Sequence, residues 1–361
     1  MSAPLCPWDD GGSDSEEDDW LFSSLTRYNQ LLMFHLTVHP DCVALAPSGN
    51  TLVVGDGEKQ ELVVYRVPSK LVAGSKEQEG LTNNRDFGLV AGTVNAGHVR
   101  GVKFMGQERL ISCKEGLEGV EVWGWGEEDL IERKEVTDKC GFEPGVLAVD
   151  GEECFVGGLD AVGRMGVGEE KWSCRKVGGK GEVSSLYRDT VGRGVWVGQT
   201  DGLVSCVDWR VEGVASEVRL SGTDSGRWDT AFLPQSASVC VAGVSSAGDG
   251  CVALWDTRHG GAPVSTHSLG LPPSSQQVPP PQILAGGGTV LVSMGDTVSV
   301  YSTDNMMSIF THDGHKQKDK TVSVTSLAIH PTVERLVFSG DNQQGLHAWV
   351  FNPENQNQCQ P

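Results

Sequence analysis

The chain has 361 residues, 47 of them glycine, and a formal net charge of −20 from 28 Lys and Arg against 48 Asp and Glu. Such an acidic balance excludes a binder of phosphate backbones, which needs a basic footprint to release counterions, and it disfavours an anionic membrane surface. No run of about eighteen apolar residues is present, so no membrane-spanning helix is expected, and the glycine content suits many tight turns between short strands.

Seven of the acids lie in the first twenty residues, which hold no Lys or Arg and leave a net −13 for the rest. DDGGSDSEEDD, 9–19, is too charged to bury a core, and residues 1–17 are read as a disordered acidic tail in which Ser13 and Ser15 are candidate kinase sites. An acidic start with no apolar core after it is unlike a signal peptide, so an intracellular, soluble protein is expected. Trp20, Leu21, Ser24, Leu25, Tyr28 and Leu32 fall near helical spacing, with Asp18 and Asp19 placed to complement the N-terminus of a helix over 18–30. A short amphipathic helix is expected there, packed on the flank of the main domain. Trp20, Leu21, Leu25 and Tyr28 are the candidate partner-binding residues, because aromatic side chains are enriched at binding hot spots.

From residue 31 the chain repeats. DGLVSCVDWR, starting at Asp201, and DGCVALWDTR, starting at Asp249, share alternating apolar positions and then Asp208 or Asp256 and Arg210 or Arg258, 48 residues apart. The same strand-turn-strand-turn-strand module is traced at 41–67, 99–125, 145–167, 183–210, 228–258, 281–304 and 324–351. Seven copies at this period, with Trp-Asp at 255–256 and Gly-His at 314–315, predict an all-β, seven-bladed WD40-type β-propeller over 31–352, with 353–361 as a C-terminal tail. The last copy lacks an outer strand, and LLMFHL, 31–36, is expected to supply it and close the ring. The His–Ser–Asp–Trp network of strong WD blades reads as scattered: Trp255 has no upstream His, and His315, Ser339 and Trp349 face Gln343 where the acid is sought. Modest stability is expected in consequence.

The ten cysteines form no CxxC pair and fall in apolar strand patterns, so they are read as free structural thiols. No catalytic, cofactor or metal residue is assigned. VGGKGEV, 177–183, lacks the Ser or Thr of a phosphate loop, GRMGVG has the wrong glycine order for a dinucleotide turn, and His312 and His315 are given to the blade network. LPPSSQQVPPPQ, 271–282, is read as an extended inter-blade loop.

DDWLFSSLTRYNQLLMFHL at 18–36, NNRDF at 83–87, the degenerate blades and LHAWVF in the last copy together resemble the WD repeat-containing protein 73 family of vertebrates. The resemblance implies a non-enzymatic scaffold or assembly factor, monomeric within larger complexes, linked to the endonuclease module of the Integrator complex in snRNA processing and to tubulin. It also implies a cytoplasmic protein that visits spindle poles and the cleavage furrow in mitosis, with a possible nuclear pool. The alternative is a substrate receptor of a cullin-RING ubiquitin ligase, docking through the WDxR box of Trp255, Asp256 and Arg258. The plainer role for Arg258 is to brace its turn by pairing with Asp256.

Overall fold

The computed structural model describes residues 27–352, apart from 73–85, 94–95, 108, 126–130, 138, 167–168, 170, 189–193, 221–225, 234–237, 246–249, 257, 259–261, 270–280 and 318–319. The acidic tail, Trp20, Leu21, Leu25, Asp249, Asn83–Arg85, most of the proline-rich stretch and the C-terminal tail lie outside the described residues.

Seven four-stranded antiparallel sheets follow one another along the chain, each pairing its strands in sequence order except the last. Blade one comprises Cys42–Leu45, Thr51–Asp56, Glu61–Arg66 and Gly88–Thr93. Blades two to six begin at Val99, Val146, Val183, Gly226 and Gln282 and end at Val136, Lys176, Arg219, Ser268 and His312. Blade seven takes Val324–Ile329, Leu336–Asp341 and Gly345–Phe351 from the end of the chain and Tyr28–His35 from its beginning. The architecture is the expected seven-bladed propeller. Helix among the described residues amounts to the single turn Ser69–Val72 and Arg27 alone.

The strand sequences follow from their places. A second strand lies between two neighbouring blades and is covered on both faces, so Leu336–Asp341 is buried throughout and alternation disappears. An outermost strand meets water on its edge, and Ile131–Val136, IERKEV, is exposed beyond its first residue. Outer strands such as IERKEV, SCRK and SEVR are short and charged and escape a search for apolar alternation; the seven traced copies cover only the inner three strands of each blade. The apolar residues form seven clusters, each joining one blade to the next, from Leu52 against Phe338 between blades one and seven to Leu291 against Trp349 between six and seven. No cluster spans the ring, so stability is a sum over blade interfaces.

The closing strand pairs antiparallel with Gly345–Phe351, from Tyr28 opposite Phe351 to His35 opposite Gly345, and the Leu36 amide adds a bond to the Gln344 carbonyl at 2.8 Å. This corrects the expected boundary: the strand starts three residues before Leu31, so Tyr28–Gln30 are strand rather than the end of a helix over 18–30. Leu31 and Leu32 face the clusters on either flank of blade seven, and that two-sided burial overrides the helical spacing.

Candidate partner-binding surfaces

Of the four residues expected to contact a partner, only Tyr28 lies within the described residues, and it is not on the surface. Tyr28 is buried, its ring meeting Phe310, His312 and Trp349 edge-on, and its hydroxyl is 2.7 Å from His312 Nδ1. Burial pushes its phenol pKa up. Beside it Arg27 pairs with Asp313 at 3.2 Å, donates to the Thr311 carbonyl, and lies over the rings of Tyr28 and Phe310. These contacts seat the first described residues of the chain in the groove between blades six and seven. Tyr28 is therefore an anchor of the ring, and the candidate surface reduces to Trp20, Leu21 and Leu25.

The same seam holds a hydrogen-bond network more complete than the sequence suggested. His315 Nδ1 is 2.6 Å from Asp341 Oδ2, His315 Nε2 is 2.8 Å from Ser339 Oγ, and Trp349 Nε1 donates to the same hydroxyl at 3.1 Å. The acid of the network is thus Asp341, at the end of the second strand, and not the position of Gln343. Gln343 instead donates its amide to Asp341 Oδ1 at 2.8 Å, as does Gly345. Burial raises the Asp341 pKa, but the His315 bond and these amides outweigh it and hold the carboxyl below its ordinary range.

A second layer of histidine lies on the first. His347 stacks on His315 with centroids 3.8 Å apart and ring planes within 6°, and His347 Nδ1 is 3.0 Å from His312 Nε2. Burial, then the neighbouring imidazoles, push His312 well below its ordinary pKa, and His347 falls to about 3 for the same two reasons in the same order. Nitrogen atoms of His312, His315 and His347 lie within 4.8 Å of one another, which invites a metal reading. The ring geometry opposes it. Imidazole lone pairs lie in the ring plane, so two stacked rings aim theirs along parallel planes and cannot converge on one ion; both His315 nitrogens are also already bonded.

The WDxR residues occupy the end of the third strand of blade five. Arg258 is exposed and folds back on Asp256, with Nε at 2.9 Å from Oδ1, Nη2 at 2.6 Å from Oδ2 and its amide at 2.9 Å from Oδ1. Arg210 grips Asp208 in the same way at the matching turn of blade four, and its hydrogen bonds draw the Asp208 carboxyl down to about 2. Two copies of one clamp at equivalent turns show a local brace. Trp255 is buried. The eight described cysteines are free, and burial pushes the Cys42, Cys113 and Cys154 thiols up to about 12.

The large apolar side chains exposed among the described residues, such as Leu89, Leu159, Val264 and Met307, are scattered over different blades rather than gathered in a patch. No family model matches the chain. The chain is 27% identical over 374 residues to a Xenopus laevis protein named Integrator complex assembly factor WDR73, an overlap that takes in 92% of this chain and 97% of that one. A Danio rerio protein of the same name is 24% identical over 377 residues, with 93% and 97% covered. Seven closed blades make this chain a β-propeller, consistent with a WD-repeat protein, and it is similar over more than nine-tenths of its length to the vertebrate assembly factors of that name.

Proposed function

We propose that this chain is a non-enzymatic scaffold that assists assembly of the Integrator complex, the role named for its two relatives. The observation that carries the reading is the extent of the match: more than nine-tenths of this chain aligns with nearly the full length of two proteins named for assembly. A rigid ring with two loop faces binds by shape and charge, and the net charge of −20 favours basic partner patches.

The finer reading places contact with the endonuclease module at the segment before Arg27, through Trp20, Leu21 and Leu25, and adds tubulin and spindle-pole residence in dividing cells to a mainly cytoplasmic distribution. The test is mass spectrometry of proteins that co-purify with the intact chain and with a chain lacking residues 1–26, a cut that leaves Arg27, Tyr28 and the closing strand in place. Integrator nuclease subunits recovered with the intact chain and reduced by the cut support both the role and the surface. Loss of neither would move the surface to the ring, and absence of Integrator subunits from both would overturn the role. Recovery of a cullin adaptor, abolished by Arg258→Ala, would favour the ligase-receptor reading, for which Arg258 must release Asp256.

A further inference from the structure

The innermost strands of the blades surround the axis of the ring, and a cavity lies at either end of several of them. At the C-terminal ends of these strands a cavity of ≈350 Å3 is lined largely by apolar side chains, among them Val43, Leu284, Leu327 and Ile329. At their N-terminal ends a second cavity of ≈230 Å3 is lined by Asp41, Arg100, Gln282 and Thr325 among others. Val43, Lys103 and Leu327 line both cavities, so they form the waist between them, and Lys103 is the only one of the three that carries charge.

Among the described residues Lys103 has no ion pair. Its nearest electrostatic neighbour is the Cys42 thiol, which burial keeps protonated. The acids that could serve are committed elsewhere. Asp229, on the innermost strand of blade five, accepts from the amides of Ile283 at 3.0 Å and Thr230 at 2.8 Å, and burial raises it to about 7. Asp41 accepts from the Gly57 amide at 2.8 Å, while Glu115 and Glu143 lie against Arg100 at 3.7 and 3.0 Å. The Lys103 side chain is exposed to the solvent of the channel, and the protein around it lowers its pKa, the expected direction for an ammonium partly desolvated without a counter-ion.

We propose that the waist of the channel is a binding site for a carboxylate carried on a short aliphatic stem, with Lys103 as its ion partner. One cation supplies one charge. The hydroxyls of Thr325 and Ser326 already donate to the Pro40 carbonyl, at 2.8 and 2.6 Å, so the several donors that a phosphate demands are not at hand. Val43, Leu284, Leu327 and Ile329 offer the stem an apolar wall. Two sources share this chemistry, a free short-chain carboxylate and a glutamate side chain that a partner inserts along the axis. The inference is independent of the assembly role.

Titration calorimetry on the full chain with hexanoate, and separately with an acetylated, amidated Gly-Glu-Gly peptide and its Gly-Gln-Gly counterpart, tests the site. Saturable binding of hexanoate identifies a small-molecule site; binding of the glutamate peptide but not the glutamine one identifies a partner's side chain. Either must weaken more than about tenfold in Lys103→Met, which keeps the aliphatic stem, and less than about threefold in Arg109→Gln, on a neighbouring cavity that shares Phe104 and Val149, since of the two only Lys103 lies at the waist. Lys103→Met should melt no lower than the parent, because it removes an unpaired ammonium. If it fails to fold, Lys103→Gln takes its place in the same titrations. Binding of neither probe, or undiminished binding without the lysine charge, overturns the proposal.

Discussion

Trp349 and Trp255 occupy the same place in blades seven and five, opposite Val337 and Val239 on the second strand, yet their indole nitrogens meet opposite fates. Two residues further along that strand blade seven has Ser339, which accepts from Trp349, and blade five has Val241, which leaves Trp255 Nε1 buried with no partner among the described residues. Blade two is intermediate: Trp123 opposite Leu110 donates to Ser112 at 2.8 Å, but Lys114 and Glu121 stand where blade seven has Asp341 and His347, and pair at 2.7 Å. Apolar packing alone suffices to place a blade whose neighbours grip both faces. The polar network is concentrated in the blade assembled from the two ends of the chain, where packing has to be supplemented by directional bonds.

The sharpest way to break the contrast is to remove the closing strand. Deleting residues 28–35 strips the outer edge of blade seven and the Tyr28–His312 bond, and thermal melting should fall by more than about 10 °C, or the protein should be recovered only as aggregate. An unchanged curve would mean that the ring closes without this strand.

Acid should act on the same seam. His312 and His347 are held neutral in the fold, whereas the unfolded chain takes up protons as pH drops through about 6.5. Their folded pKa values are depressed, so stability is full above pH ~6.5 and declines below it, by up to about 1.4 kcal/mol per pH unit per histidine, on the way down toward the folded value of about 3 for His347. Because the buried Asp229, raised to about 7, takes up its proton in the fold and acts in the opposite sense, the histidine share is read by difference: between pH 7.5 and 5 the parent should lose about 1–2 kcal/mol more than His347→Phe in denaturant titrations. An equal slope in that variant would move the acid sensitivity elsewhere.

His315→Ala leaves Asp341 and Ser339 without their buried partner and should cost about 2–4 kcal/mol in urea unfolding. The last effect is the most pointed. Trp349→Phe and Trp255→Phe remove similar volumes, but only the first breaks a hydrogen bond, so the first should be the more destabilising by about 1–2 kcal/mol. Equal losses would show that the orphaned indole of blade five is satisfied in solution.

Much of this was legible before the structure. Seven copies, the closing strand and the free thiols could be read because alternation, turn glycines and thiols within apolar runs are local signals. Asp341 was missed by two positions: the search went to Gln343, although Ser-Gly-Asp at 339–341 spells the serine and the acid on one strand end, one side-chain repeat apart. Tyr28 was misread because Tyr, Leu and Leu at 28, 31 and 32 suit a helix as well as a strand with both faces covered; only the partner strand decides. Lys103 could not be found from sequence at all. In VRGVKFM it is one more polar residue on the outward side of an alternating strand, and nothing local says that this side faces a channel rather than open water.

The pairing of Tyr28 with Phe351 sets an order of events during synthesis. Blades one to six can form as their residues emerge, but the seventh waits for its third strand, the last to be translated, and the closing strand must remain unpaired until then. An exposed, mostly apolar segment of eight residues is therefore carried until Gly345–Phe351 has been made, a substrate for chaperones. A chain cut short before Gly345 would lose the network and leave that segment without a partner, so a break there should be read by the cell as a failure of the entire ring.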